Sequence, residues 1–242
     1  MKDINIEDLT FAYSNKIEVL HHISLVVESG ESVGLIGANG AGKSTLLKLL
    51  VGLAEGYQGS IALGGLRVEK KNLARIRAKA GYVFQDSESQ LFLSTVYEDV
   101  AFGPRNYGLA EEEVDGRVME ALRKMHIEDL KDRQIYRMSG GQKKLASIAT
   151  ILSLEPKVML LDEPSIALDP RNRRTLIHIL NEIRETKVIA THDLDMVWDT
   201  CERTVLISAG RVRKDGKTRE ILRDKELLEA NGLELPLSMQ RL

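Results

Sequence analysis

Ile4, Ile6 and Asp8 open an alternating run, and a second apolar stretch from Val19 to Val27 ends at Ser29-Gly30. Period two closed by a turn dipeptide predicts antiparallel strands over the first thirty residues. The pattern then changes. Val33 to Ile36 is a short, unbroken apolar run of the kind a buried strand carries; it enters a glycine-rich turn followed by a helix predicted over Lys43 to Leu53, the start of a parallel α/β unit. Gly81–Phe84, Val158–Leu161, Val188–Ala190 and Thr204–Ile207 repeat the buried-strand signal. Between Asp86 and Glu155 the period is helical: Val114, Val118, Leu122 and Met125 share one face, and Leu145, Ile148, Ala149 and Leu152 another. Leu194, Val197, Trp198 and Cys201 line one side of a further helix, which predicts a packed thiol at Cys201. The reading is one α/β unit with two lobes, the second formed by helices inserted between strands.

Composition narrows the setting. The 242 residues carry 34 Lys+Arg against 36 Asp+Glu, a net charge of −2, so no global field draws the chain to nucleic acid or an anionic membrane. The basic cluster Lys70, Lys71, Arg75, Arg77 and Lys79 has no interleaved aromatic residues and reads as a solvated helix face. One cysteine excludes an intrachain disulfide and a cysteine-based metal cluster. No run approaches the ~18 apolar residues of a membrane span, and charge is mixed into every turn of the N-terminus. Work at a membrane is therefore expected to need a partner that holds the chain there.

The chemistry concentrates in two places. Gly37-Ala38-Asn39-Gly40-Ala41-Gly42-Lys43-Ser44-Thr45 is a complete G-x-x-x-x-G-K-S between a predicted strand and a predicted helix. Glycines let successive N–H groups converge on one anion, and the helix adds its positive end. Lys43 reaches for β- and γ-phosphates and Ser44 offers a hydroxyl to Mg²⁺. Val158-Met159-Leu160-Leu161-Asp162-Glu163 delivers two carboxylates from a buried strand to the edge of a sheet. Asp162 is placed to hold hydrated Mg²⁺, through water, and Glu163 to polarise a water in line with the γ-phosphate.

Met138-Ser139-Gly140-Gly141-Gln142 resembles the signature of ATP-binding cassette ATPases, which general P-loop kinases and GTPases lack. The resemblance spans roughly residues 3 to 215 and implies further roles in order along the chain. Tyr13 is the aromatic residue that stacks on adenine, although a tyrosine beside Phe11 in an alternating strand suits a core position as readily. Gln85 completes the Mg²⁺ shell, Asp169 belongs to the loop after the carboxylates, and His192 hydrogen-bonds the γ-phosphate. Ser139, Gly140, Gly141, Gln142 and Asp169 act in trans, on nucleotide bound by a mate, so hydrolysis implies a head-to-tail homodimer or a pair with a related ATPase. Met138 stands in place of the usual leucine, and Ile166-Ala167 where Ala-Gly is common; strain is expected if Ala167 takes a positive φ.

The expected fold is α/β: a P-loop ATPase core with a RecA-like mixed sheet, an N-terminal antiparallel β subdomain and an inserted helical subdomain. The cassette is expected over 1–215, with the insertion at about 86–155 and a short helical tail over 216–242. The segment Asp86–Phe92 with Thr95–Pro104, Asn106 and Gly108-Leu109 resembles energy-coupling-factor importer ATPases. That likeness implies a groove for a helix of a transmembrane T component, a substrate-binding membrane subunit, and a peripheral place on the cytoplasmic face of the cell membrane. Ile221, Leu222 and Leu228 mark the tail helix, and Gly232–Pro236 resembles the close of cobalt-type ATPases. The tail either covers the sheet edge or joins the dimer contact. Cobalt or nickel is the expected cargo; a vitamin importer such as one for biotin is the alternative, and a soluble cassette ATPase acting on nucleic acid or ribosomes the alternative of another class, with no nucleic acid expected.

Overall fold

A computed structural model describes residues 1–14 and 17–240. Strands β1 (Lys2–Ala12) and β2 (Glu18–Glu28) pair antiparallel, with Ile4 opposite Val27 and Phe11 opposite Leu20. The alternation is re-phased midway. A bulge at Glu7-Asp8 puts Asp8 at φ 48°, so Ile4 and Ile6 point inward before it and Leu9 and Phe11 after it. Asp8 leaves the face that strict period two assigns it: its backbone N–H donates to the Ser24 hydroxyl at 3.0 Å and its carboxylate meets His22 Nδ1 at 2.7 Å on the surface.

Strand β3 (Ser32–Ile36) leads through the glycine-rich loop into α1 (Lys43–Leu50). The helix stops three residues short of the predicted end because Val51 leaves helical backbone and Gly52 turns the chain at φ 65°. Strands β4 (Gln58–Leu63) and β5 (Leu66–Arg67) complete the antiparallel sheet in the order β2-β1-β4-β5. The basic cluster spans a 3-10 turn (Lys70–Asn72) and helix α2 (Leu73–Arg77), with Lys70, Lys71, Arg75 and Arg77 exposed as expected and Lys79, just beyond the helix, half-buried. Arg77 also has a structural task, donating to the carbonyls of Val51 and Gly52 that end α1, at 3.1 and 3.0 Å.

After β6 (Ala80–Val83) come the inserted helices α3 (Val96–Asn106), α4 (Glu111–Lys124) and α5 (Gly140–Leu152). Thr95 caps α3, accepting from the Glu98 N–H, and α4 opens on Glu111–Glu113 and closes on Arg123-Lys124, charges that complement its dipole. The chain returns through β7 (Val158–Asp162), α6 (Pro170–Glu182), β8 (Thr186–Ala190), α7 (Leu194–Thr200), β9 (Arg203–Ser208) and β10 (Arg211–Lys217). The tail forms two short helices, α8 (Thr218–Ile221) and α9 (Lys225–Ala230), where one was predicted. The first closes at Leu222, and Asp224 caps the second, accepting from the Leu227 N–H.

The central sheet runs β10-β9-β3-β8-β7-β6, parallel except for β10, and divides the apolar interior in two. One face packs on α1 and the antiparallel sheet, through Leu35, Leu160 and Val188. The other packs on α3 to α7 and the tail, through Ile36, Leu161 and Ile189. Ile221, Leu222 and Leu228 are buried in this second core. Cys201 is buried as predicted, with Thr200 and Ser32 hydroxyls beside its sulfur, and burial pushes its thiol pKa up.

Candidate functional site

The phosphate loop sits at the carboxyl end of β3, and two of its glycines, Gly37 and Gly42, stand where close approach leaves no room for a side chain. A Cβ on Gly37, at φ 157°, would lie 2.2 Å from the Ile207 carbonyl; one on Gly42, at φ 104°, would lie 2.6 Å from the Leu20 side chain. Lys43 is buried and curls back, donating to the carbonyls of Gly37 at 2.7 Å and Ala38 at 3.3 Å. Burial lowers its pKa, and the nearby Glu163 and Asp162 oppose that shift.

Ser44 donates to Asp162 Oδ1 at 2.8 Å, closing the distance between the two predicted metal ligands. The other oxygen of Asp162 accepts from Tyr82 at 3.0 Å, a contact the sequence reading missed. Burial raises the Asp162 pKa, and the Ser44 and Tyr82 hydrogen bonds hold it back. Burial raises the Tyr82 pKa as well, with Asp162 adding to the effect. Tyr82 is therefore a donor at any ordinary pH, fixed to one carboxylate orientation.

Glu163 follows at φ 48° with its side chain only 6% exposed. Its backbone N–H donates to the Ala190 carbonyl at 2.8 Å, tying the turn to the end of β8. Its Oε2 accepts from the Thr191 hydroxyl at 2.9 Å, lies 2.9 Å from His192 Nδ1 and is 3.3 Å from the His192 backbone nitrogen. Thr191 was also absent from the sequence reading; it is fully buried and accepts in turn from the Asp193 N–H at 3.0 Å. The carboxylate is thus aimed by three groups from one strand end, with the imidazole half open to solvent.

Gln85 lies just beyond β6 and lines, with Asp162, Tyr82, Lys48 and Gly140, a cavity of about 550 Å³. Tyr13 stands at the other side of the loop, its hydroxyl 3.1 Å from that of Thr45 and its ring edge-on to Phe11 at 4.9 Å. It is 43% exposed, so its ring is not a core residue.

The signature residues form a capping box at the start of α5. Gln142 N–H donates to the Ser139 hydroxyl at 3.3 Å, and Ser139 N–H to the Gln142 side-chain oxygen at 3.0 Å. Gln142 therefore has a partner within its own helix, where the reading from sequence gave it nucleotide. Asp169 likewise caps α6, accepting from the N–H and the side-chain amide of Asn172 at 2.9 and 2.8 Å. Ala167 adopts φ 68°, the condition under which strain is expected, and packs against the signature: a Cβ on Gly141 would come within 3.1 Å of its carbonyl.

Residues 20–166 match the family model described as ABC transporter. The chain is 45% identical over 237 residues to a Geobacter sulfurreducens protein, covering 98% of this chain and 95% of that one. It is 42% identical over 237 residues to the energy-coupling factor transporter ATP-binding protein EcfA of Carboxydothermus hydrogenoformans, covering 97% and 87%. Among solved structures it is similar to cbiO1 of Clostridium perfringens, described as part of the transporter complex cbiONQ, with TM-score 0.83, 36% identity, and coverage of 95% and 94%. A bacterial ABC transporter cassette solved as a dimer aligns with TM-score 0.82 and 27% identity, covering 89% and 99%.

Proposed function

The chain belongs to the ABC transporter family as an ATP-hydrolysing subunit, and from that premise we propose that it powers an energy-coupling-factor importer as one half of a head-to-tail ATPase dimer. The observation that carries the reading is the Glu163 carboxylate, buried at the end of β7 and aimed by Thr191 and His192 beside the phosphate loop. Such a carboxylate takes the proton of a water attacking the γ-phosphate. Lys43 turns from the loop carbonyls to the β- and γ-phosphates, and His192 stabilises charge as it develops on the γ-phosphate oxygens.

The donor set fits Mg²⁺. Ser44, Asp162 and Gln85 offer hard oxygen ligands from one edge of the sheet, few enough for the ion to keep water and substrate phosphate in its shell. When bound, Mg²⁺ neutralises charge on the phosphate oxygens. Ser139 and the start of α5 complete the other side of the mate's site, so nucleotide binds the closed pair more tightly than the open one and drives closure.

Relatives named as energy-coupling-factor ATP-binding proteins support the importer class. Phe92 and Phe102 support docking to a membrane T component: they stack edge-on at 4.9 Å while 62% and 44% exposed. Among the described residues no helix is long and apolar enough to cross a membrane, so peripheral attachment at the cytoplasmic face is part of the proposal. So is the division into a cassette at 1–215, its insertion at about 86–155, and a tail over 216–242, of which Arg241 and Leu242 lie outside the described residues. Cobalt or nickel is the cargo this reading favours, on the tail resemblance at Gly232–Pro236.

Glu163→Gln tests the assignment. With saturating MgATP the variant should accumulate a stable dimer in light-scattering chromatography while hydrolysis is lost. A variant that stays monomeric, or one that still turns over, refutes the role of Glu163 in a shared site.

A further inference from the structure

Lys144 is the bulkiest of the fully buried side chains, 1% exposed, on the inner face of α5. Its ammonium donates to the backbone carbonyls of Phe84 at 3.0 Å and Gln85 at 2.7 Å, across 60 and 59 residues of sequence. Removing an ammonium from water costs several kcal/mol unless partners offset it. Burial pushes the Lys144 pKa down to about 8, with Asp162, Asp86 and Glu163 opposing the shift. Methionine would fill the same space without that cost, so the charge is held for something other than packing.

The surroundings indicate what. The Phe84 N–H donates to the Gln90 side-chain oxygen at 3.1 Å, while the Gln90 amide donates to Ser147 and Thr150 of α5 at 2.6 and 2.8 Å. Lys143 pairs with Glu88 at 2.5 Å. The segment from Phe84 to Gln90 is thereby fastened to α5, and Lys144 is the fastening nearest Gln85. One turn before Lys144, Gly140 and Gly141 of the same helix pack against Ala167 in the turn beyond Glu163.

We propose that Lys144 is a positioning residue for the hydrolytic site: by holding the Phe84 and Gln85 carbonyls it fixes Gln85 relative to Asp162 and makes that placement depend on where the signature helix sits. The inference rests on the reading of Gln85 as a site residue. It extends the role of α5 from the mate's nucleotide to the chain's own.

A double-mutant cycle on the purified full chain tests it, with ATPase kinetics and Mg²⁺ dependence as readouts. Lys144→Met should lower kcat about tenfold, change KM for ATP less than about threefold, and raise the Mg²⁺ concentration for half-maximal turnover. In a Gln85→Ala background the same change should cost less than about twofold, because the residue it acts through is gone. Lys144→Arg, which keeps the two donors, should recover turnover to within about threefold of the parent. Thermal midpoints verify that each variant is folded, and Lys144→Gln replaces the methionine variant if that one fails to fold. Equal losses in both backgrounds, an arginine variant as impaired as methionine, or a fully active Lys144→Met beside an impaired Gln85→Ala overturns the inference alone. A fully active Gln85→Ala overturns the reading of Gln85 and the inference with it.

Discussion

Thr191→Val removes one oxygen from the site and leaves its volume nearly unchanged. The hydroxyl donates to Glu163 Oε2 at 2.9 Å and accepts from the Asp193 N–H at 3.0 Å, in a fully buried setting. A hydrogen bond to a charged acceptor contributes about 1.5–3 kcal/mol, and a stranded buried N–H costs about 1 kcal/mol more. The sum is about 3 kcal/mol, and a domain of this length loses about 2–4 °C of Tm per kcal/mol, so calorimetry without nucleotide should show a drop of about 6–12 °C. Glu163 keeps its His192 contacts but loses the donor that sets its angle, and small displacements of a reacting group cost about 10–100-fold in kcat with little change in KM. Thr191→Ser keeps the hydroxyl and should stay near the parent in both assays. A valine variant that melts within about 2 °C of the parent and turns over at a similar rate would refute the account of how Glu163 is aimed. A serine variant as impaired as valine would reassign the effect to the lost methyl group.

Three further outcomes are expected. Ala167→Gly relieves a left-handed alanine at the expense of chain entropy, and should raise Tm by about 1–2 °C; a fall would show that the methyl group's packing outweighs the strain. Cys201 should react with iodoacetamide at least about 100-fold more slowly in the folded chain than in urea, since burial both hides the thiol and keeps it protonated; equal rates would place it at the surface. Burial raises the Asp99 pKa against the pull of the Phe92 and Leu93 N–H groups. A carboxyl that binds its proton more tightly folded than unfolded adds stability below about pH 3.9 and gives it up as pH climbs through the raised value. The Tm advantage of the parent over Asp99→Asn should therefore narrow as pH rises above about 4, and a widening gap would reverse the sign of this reasoning.

The parts of the site legible in sequence are those whose chemistry is local. Gly37 to Thr45 is contiguous, and the apolar run before Asp162 and Glu163 announces a buried strand ending in acid. Tyr82 and Thr191 were invisible for the opposite reason. Tyr82 reaches Asp162 only because β6 lies beside β7, and Thr191 reaches Glu163 only because β8 flanks β7 on the other side. Neither pairing is encoded by spacing along the chain. The bulge at Asp8 escaped period-two reasoning because the extra residue that re-phases a strand carries no distinct composition. Strands β4 and β10 escaped it because glycine and charged side chains interrupt their apolar positions. Gln142 and Asp169 were read through their resemblance to residues that face a mate, which left their local capping roles unseen.

Strand β8 separates β3, which feeds the phosphate loop, from β7, which ends in the acids. Its consecutive residues Val188 and Ile189 face the two different interiors. Selective methyl labelling of those neighbours would place one nuclear-spin reporter in each interior, only a peptide unit apart. Shifts at both resonances on adding nucleotide would register a change carried across the sheet, and a shift at one alone would show which half responds.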